Sequence, residues 1–273
     1  IRRIAVMLDN GKTVPLVPAP PKATNGAKEY VVDWRQQGIN ASDLQLKVFT
    51  PLRWVIDGLL PEGGCLLAGK PKSKKSWLAL AIAVAVAMAG KVLGYYDVSP
   101  GEVLYLDLES NQRRVKSRLG ALIGSVRWPD NLHFFTEWPK GTEGIAMLDA
   151  WLLAHPNTVL IVIDIFQNFR PYRDPKGNPY EQDYEAIKMI NEFAERHRIS
   201  IIVVHHTRKA KADDVFDEIS GTNGLAGGVA TMWVLGRSPD NSGESILALR
   251  GRDISDDDPM ALRWDGHTCQ FVR

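Results

Sequence analysis

The segment LLAGKPKSKKSWL, residues 66–78, joins three kinds of sequence in one short stretch. The apolar run that ends at Gly69 predicts a buried strand, and the residues after it are turn formers and lysines. From Trp77 to Ala89 the chain is rich in alanine, leucine and isoleucine, which predicts a buried helix. A strand, a basic loop and a helix in this order are typical of a phosphate-binding loop. We therefore expect the fold to be organised around this loop.

The loop matches the phosphate-binding pattern G-x-x-x-x-G-K-[ST] at all positions but one. Backbone N–H groups before and at a helix N-terminus form an anion site, and a lysine at the helix start neutralises phosphate charge. In this pattern Lys75 contacts phosphate and the Ser76 hydroxyl binds Mg²⁺. The alternative is a basic turn in front of a core helix. The residues predicted to bind the nucleotide are Gly69, Lys70, Pro71, Lys72, Ser73, Lys74, Lys75, Ser76 and Trp77.

The position that departs from the pattern is Lys74, which stands where the second glycine is expected. A side chain is tolerable there if the residue keeps a negative φ and the side chain points away from the phosphates. We therefore expect Lys74 to have a negative φ.

The composition excludes several classes of protein. The 33 basic and 32 acidic residues leave a net charge of +1, so any DNA contact must come from a local patch rather than from an overall basic charge. Two cysteines provide neither a disulfide framework nor a metal-ligand cluster, which fits a reducing compartment. No segment has the pattern of a signal peptide or the roughly 20 apolar residues of a membrane span. We therefore expect a soluble, cytoplasmic protein with no membrane partner.

Residues 1–58 differ in character from the remainder of the chain. Residues 14–21 are too rich in proline for a helix or a central strand, and VVDWR at residues 31–35 leads through a glycine turn to a capped helical start near Leu44. This segment resembles the closing stretch of Toprim primase domains. We interpret it as an N-terminal arm that packs on a neighbouring subunit, or as the tail of a preceding primase-like domain plus a linker. The first residue is Ile1 rather than methionine, which is consistent with a fragment of a longer polypeptide.

Apolar strands alternate with helices in residues 59–273, which is typical of a parallel sheet covered on both faces. The most apolar strands are predicted at residues 103–109, 159–164 and 201–204. Helices are predicted at residues 111–122, 144–155 and 180–198, a short strand at 132–135, and loops at 166–179 and 207–220. Strands at residues 231–235, 245–249, 261–264 and 270–272 have no helices between them and predict an antiparallel extension. The predicted fold is therefore α/β, with a mainly parallel sheet flanked by helices and antiparallel C-terminal strands.

Polar residues follow the ends of the predicted parallel strands, where ligands gather in an open α/β sheet. Asp164 is placed to hold Mg²⁺ and Glu109 to activate water for attack on a phosphate, although each could instead cap the element that follows it. His205 and His206 have no cysteine or acidic partner at ligand spacing, so we do not expect zinc there. A histidine at this position could form a hydrogen bond with the terminal phosphate.

These features together resemble the RecA-like P-loop ATPases, and among them the hexameric replicative helicases of plasmids and phages. The resemblance covers residues 59–273, which we predict to be one ATPase domain. It is carried by residues 69–80, 106–114, 163–164, 205–209, 220–224 and 249–253.

The resemblance implies a role for each candidate residue. Lys75 and Ser76 would bind the phosphates and Mg²⁺ of ATP, and Asp164 would be the second anchor of the ion. Glu109 would be the catalytic base, and His206, or alternatively His205, would detect the γ-phosphate. Arg250 and Arg252 look like paired arginine fingers that reach the nucleotide of a neighbouring subunit; otherwise they decorate an exposed strand edge. Lys74 would affect the rate of hydrolysis more than nucleotide binding.

The resemblance also implies the partners. Arg208, Lys209 and Lys211 lie on the loop that faces the central channel in RecA-like motors and would grip single-stranded DNA, although acidic residues follow and the loop could simply be solvated. We expect a homo-oligomer, a hexameric ring, that acts as an ATP-driven helicase in DNA replication with a fused or associated primase. One alternative is a nucleotide-dependent protein that assembles on DNA or a partner with little unwinding. Another is a basic loop that binds nucleic acid rather than ATP.

Overall fold

The computed structural model describes residues 5–7, 13–15, 38–207, 224–238, 243–254 and 258–273. The chain forms two units, Ile1–Thr50 and Pro51–Arg273. The predicted division after residue 58 stays a prediction.

The first unit contains two short strands and one short helix among its described residues. Strand β1 (Ala5–Met7) pairs antiparallel with β2 (Thr13–Pro15), and helix α1 spans Ala41–Leu46. The side chain of Asn40 caps this helix by accepting a 2.9 Å hydrogen bond from the backbone N–H of Asp43. The predicted capped helical start near Leu44 is therefore confirmed.

The second unit alternates strands and helices around the predicted loop. Its strands are β3 (Trp54–Ile56), β4 (Leu60–Pro61), β5 (Gly63–Gly69), β6 (Lys91–Val92), β7 (Tyr96–Asp97), β8 (Glu102–Asp107), β9 (Leu132–Phe135), β10 (Thr158–Asp164), β11 (Ser200–His206), β12 (Thr231–Arg237), β13 (Ser245–Gly251), β14 (Met260–Asp265) and β15 (Gln270–Val272). Its helices are α2 (Lys75–Met88), α3 (Gln112–Ile123), α4 (Gly141–Ala154), α5 (Phe166–Phe169), α6 (Pro179–His197) and α7 (Gly224–Gly227).

Nine strands form the central sheet in the order β15-β14-β13-β12-β5-β11-β10-β8-β9. The six strands from β12 to β9 in this order run parallel, and β13, β14 and β15 continue the sheet antiparallel. The predicted α/β class with antiparallel C-terminal strands is therefore confirmed. The expectation that β12 is also antiparallel to the strand before it in the sheet is wrong, because β12 runs parallel to β5 and the chain reverses only at β13.

Both faces of the central strands are buried, which explains their continuous apolar sequences. In β5, Cys65 and Leu67 point into a core shared with α2, whereas Leu66 and Ala68 point into a second core shared with α6. Side chains of a strand alternate between its two faces, so one strand contributes to both cores. Strand β5 thus lies between two helical layers, and its carboxyl end is fixed where the loop begins.

The region of residues 166–169 differs from the sequence prediction, which placed a loop there. It forms the short helix α5, whose N- and C-terminal residues Phe166 and Phe169 are both fully buried. Two phenylalanines three residues apart fall on one side of a helical turn, and burying both rings stabilises that turn. The surrounding arginine, proline and aspartate residues concealed this apolar pair in the sequence. Within the described residues, the helices are all too short or too polar to traverse a bilayer.

Candidate nucleotide-binding site

The predicted loop connects the end of β5 to the start of α2, as the sequence indicated. Gly69 is the last residue of β5, and a Cβ atom built on it would lie 2.5 Å from the backbone oxygen of Leu235 on β12. Because no side chain fits at that distance, the close approach of β12 requires glycine at the first position of the loop. The residues between Gly69 and Lys75 then form the turn that exposes backbone N–H groups at the helix N-terminus.

Lys75 is buried inside the loop that it is predicted to serve. Its Nζ donates hydrogen bonds to the backbone oxygens of Gly69 at 2.7 Å and Lys70 at 2.9 Å. Burial lowers the pKa of Lys75 to about 8, while the nearby Asp164 and Glu109 carboxylates oppose this shift. The ammonium group therefore remains mostly charged at neutral pH, and its two carbonyl partners are ones that phosphate oxygens could replace.

Lys74 has φ 69° and ψ 22°, so the prediction of a negative φ is wrong. The residue is the N-cap of α2, and the tight turn requires the left-handed conformation that a glycine would adopt at this position. For a residue with a Cβ this conformation costs about 1–2 kcal/mol. The Nζ of Lys74 lies 4.0 Å from the centre of the Trp264 ring, and such a contact recovers about 0.5–1 kcal/mol. The lysine side chain is therefore held by Trp264 on β14.

Trp77 is the outermost of the residues predicted to bind the nucleotide. Its ring meets the ring of Trp264 edge-on, with centroids 6.0 Å apart, and the guanidinium of Arg118 lies 5.7 Å from its centre. Trp77 and Trp264 form an aromatic wall beside the loop, whereas Lys70 and Lys72 are exposed.

Asp164 lies at the end of β10 and is almost fully buried. The Tyr105 hydroxyl donates a 3.0 Å hydrogen bond to its Oδ2. Burial raises the pKa of Asp164, and the nearby Ser76 and Tyr105 hydroxyls offset part of that rise. Its other oxygen, Oδ1, is buried with no hydrogen-bond partner among the described residues. A buried carboxylate oxygen in this state is available to a cation.

Ser76 and Asp164 fit a magnesium site by the chemistry of their atoms. Mg²⁺ is bound by oxygen ligands, commonly one or two carboxylates together with waters and substrate phosphates. The unpartnered Oδ1 of Asp164 and the Ser76 hydroxyl, one residue after the phosphate lysine, provide such oxygens. A divalent ion would also favour the ionised form of the carboxyl, which burial disfavours.

Asp107 is a buried carboxylate that the sequence analysis did not single out. It ends β8 and lies level with Asp164 on the neighbouring strand β10. Burial, and then the charge of Asp164, raises the pKa of Asp107 to about 6, although the guanidinium of Arg118, 3.8 Å away, opposes the shift. The signal in the sequence was an acidic residue inside the apolar strand LYLDL, residues 104–108. Two neighbouring buried carboxylates make this edge of the sheet suited to a divalent cation.

We predict that replacing Asp107 with asparagine makes folding less sensitive to pH. Since the folded pKa of about 6 lies above the ordinary value of 3.8, the folded protein binds more protons, and the stability contribution is lost as pH rises through 6. From pH 5 to pH 8, Asp107→Asn should gain about 1 kcal/mol of unfolding free energy relative to the unchanged chain. Urea unfolding without Mg²⁺ or nucleotide measures this. The exposed Asp130→Asn serves as control, and equal pH slopes in Asp107→Asn and the unchanged chain would contradict the prediction.

Glu109 and His206 meet above the loop. His206 ends β11 and lies level with Gly69, and its Nε2 is 4.0 Å from Oε2 of Glu109. Burial and the charge of Lys75 lower the pKa of His206, and its Nδ1 is buried with no partner among the described residues. His205 points to the other face of the sheet, edge-on to Phe166, and burial lowers its pKa to about 4. Of the two histidines, the structure therefore places His206 beside the loop.

The two predicted arginine fingers lie away from the loop of their own chain. Arg250 on β13 is exposed and lies level with Leu66, by way of Met232 on β12. Arg252 follows β13 and donates its backbone N–H to the oxygen of Ala230 at 3.1 Å. Three residues of β5 separate the level of Arg250 from the start of the loop, about 10 Å along the strand. The predicted DNA-binding residues Arg208, Lys209 and Lys211 lie outside the described residues.

This fold and this convergence of loop, carboxylates and histidine define a RecA-like ATPase domain of the helicase type. The sequence model of the family described as AAA domain matches residues 36–212. This match spans more than half of the chain, and the chain belongs to that family. No curated protein sequence matches the chain.

Two solved structures share the fold. One is the ATPase domain of another protein, with a TM-score of 0.63 and 12% sequence identity, covering 78% of this chain and 84% of that one. The other is a DnaB-like replicative helicase, studied with its interactions with primase, with a TM-score of 0.61 and 12% identity, covering 77% of this chain and 57% of that one. At this level of identity the likeness concerns the fold alone.

Proposed function

We propose that this chain binds ATP with Mg²⁺ and hydrolyses it, and that hydrolysis drives a ring of identical subunits along single-stranded DNA during replication. The observation that carries the proposal is the meeting of Lys75, Asp164 and Glu109 at the carboxyl ends of adjoining parallel strands. Each is a residue type that hydrolysis of a triphosphate needs, and each comes from a different strand or its following loop.

The loop residues would hold the phosphates. Backbone N–H groups at the start of α2 point to the anion, and the Lys75 ammonium would exchange the oxygens of Gly69 and Lys70 for phosphate oxygens. Ser76 and Asp164 would hold Mg²⁺, which neutralises phosphate charge when it is bound. The charge that develops during hydrolysis is then met by groups already in position.

Glu109 would act on the attacking water. Its carboxylate is half-exposed, so water reaches it, and it can orient that water and accept its proton. His206 would contact the terminal phosphate, since its Nδ1 is buried near Lys75 without a partner among the described residues. The proximity of His206 to Glu109 links the state of the phosphate to the base.

The ring and the DNA contact rest on charged residues away from this site. Arg250 and Arg252 would complete the site of a neighbouring subunit, and an arginine supplied in trans ties hydrolysis to assembly. Arg208, Lys209 and Lys211 would contact the DNA backbone, which gives sequence-independent and salt-sensitive binding. We also propose primase as a partner, on the resemblance of residues 1–58 to a primase tail.

One observation favours a second function, a nucleotide-dependent assembly protein with little turnover. Lys74 places a strained, charged residue where the pattern has glycine, and Lys75 is already paired inside the loop. Both features could slow hydrolysis without preventing nucleotide binding.

ATP turnover with and without single-stranded DNA, measured alongside the mass of the assembly, tests the proposal. We expect DNA to stimulate turnover and the active species to be a multimer. Hydrolysis by a monomer would contradict the role of Arg250 and Arg252. Nucleotide binding with negligible turnover would support the assembly protein, and no nucleotide affinity would support a loop that binds nucleic acid instead.

A further inference from the structure

A second cluster of polar side chains lies outside the candidate nucleotide site. Its members are Glu102, His133 and His155, and one ligand atom of each lies within 4.8 Å of the others. Glu102 is the first residue of β8, His133 belongs to β9, and His155 caps the C-terminus of α4 three residues before β10. The cluster therefore lies at the amino ends of parallel strands, at the edge of the sheet opposite the phosphate-binding loop.

Both imidazole rings of the cluster converge on a single carboxylate oxygen. His133 Nε2 lies 2.8 Å and His155 Nδ1 lies 2.6 Å from Oε1 of Glu102. Since an ionised carboxylate only accepts hydrogen bonds, both ring nitrogens donate in this arrangement. The three side chains are 15%, 30% and 28% exposed, in the order Glu102, His133, His155. Their meeting point is therefore shielded by protein and still open to solvent.

The rings are held in position by packing. Trp151 stacks on His155 with centroids 3.6 Å apart and planes 7° from parallel, and its ring meets His133 edge-on at 5.1 Å. The indole Nε1 of Trp151 donates to Thr158 Oγ1 at 3.2 Å, and that hydroxyl donates to the backbone oxygen of His155 at 2.8 Å. Such support fixes ring orientation before a ligand arrives, which is what the outer contacts of metal sites do.

We propose that Glu102, His133 and His155 bind a divalent transition-metal ion, for which Zn²⁺ is the best match. Two imidazole nitrogens and one carboxylate oxygen form a donor set that Zn²⁺ takes in three-ligand sites, with a fourth position for water. Hard cations such as Mg²⁺ prefer oxygen ligands and would compete poorly for the two nitrogens.

The size of the cluster suits this ion after a small adjustment. Zinc–ligand distances of about 2.0–2.2 Å place tetrahedral donor atoms about 3.3 Å apart. The present separations of 2.8 and 2.6 Å must therefore widen by roughly half an ångström, which small rotations of partly exposed side chains provide. The ring protons that point at Glu102 would shift to the opposite ring nitrogens. The bound ion would tie the edge strand β9 to β8 and to the end of α4.

Titration of tag-free protein with Zn²⁺, and with Co²⁺ as a spectroscopic probe, tests this proposal. Excess Mg²⁺ is included so that the carboxylates of the nucleotide site are occupied. We expect one ion per chain and a thermal midpoint that rises with Zn²⁺. Glu102→Gln, His133→Ala and His155→Ala should each weaken binding by more than about tenfold.

Two control variants identify the site. His197→Ala removes a histidine that is paired with Asp149 at 2.8 Å elsewhere on the surface, and His206→Ala removes the histidine of the nucleotide site. Both should bind Zn²⁺ as the unchanged chain does. Glu102→Gln nearly preserves side-chain size, so weaker binding with an unchanged metal-free thermal midpoint separates ligand loss from unfolding. The proposal is overturned by absence of binding, by binding that survives Glu102→Gln and His133→Ala, or by binding lost in His206→Ala.

Discussion

Lys75→Ala is expected to lower ATP turnover by about a thousandfold and to weaken ATP binding, the scale typical of removing one charge-stabilising donor from an active site. The ammonium group donates hydrogen bonds inside the loop, to the backbone oxygens of Gly69 and Lys70. Alanine leaves the backbone N–H groups but removes the charge that offsets the phosphates. Turnover and nucleotide affinity, measured by steady-state kinetics and by titration, both check this expectation.

Lys72→Ala is the matched control for Lys75→Ala. Lys72 lies on the same loop with a positive φ of 65°, but it is exposed. Its replacement removes one positive charge from the loop and should change turnover severalfold at most. If the two variants lose turnover equally, general positive charge matters rather than a positioned ammonium group, and the assignment of Lys75 fails. A thermal scan of both variants separates these outcomes from unfolding.

The sheet was predictable from the sequence because its central strands are buried on both faces. Residues 159–164 are apolar at every position before Asp164, and such a run has few alternatives to a central parallel strand. The same reasoning located the loop and the polar strand ends, since the periodicity breaks there. Helix α5 was missed because Phe166 and Phe169 stand among polar residues whose local preferences favour a loop.

Other features depend on contacts between distant parts of the chain, which a sequence pattern does not reveal. The φ of Lys74 is set by the turn and stabilised by Trp264, a residue 190 positions further along. Glu102, His133 and His155 are separated by 31 and 22 positions, so they lack the spacing by which metal ligands are recognised in a sequence. Asp107 became notable only when β8 and β10 placed it beside Asp164.

Glu109→Gln is expected to lower ATP turnover by about 10²–10⁴-fold and to leave ATP affinity within about twofold. Glutamine keeps the size of the side chain and can still hold a water molecule, but it cannot accept the proton. The Glu109 side chain is 56% exposed and lies 4.0 Å from His206, so the fold does not depend on its charge. The variant should therefore trap the nucleotide-bound state.

The separation between binding and turnover decides what Glu109 does. A residue that helps to hold Mg²⁺ would lose nucleotide affinity when neutralised, as we expect for Asp164→Asn, because the ion links the carboxylate to the phosphates. A general base would lose turnover alone. Glu192→Gln, which neutralises an exposed carboxylate on α6, controls for the change in net charge. If Glu109→Gln and Asp164→Asn weaken ATP binding to the same extent, Glu109 belongs to the metal site and another group must activate the water.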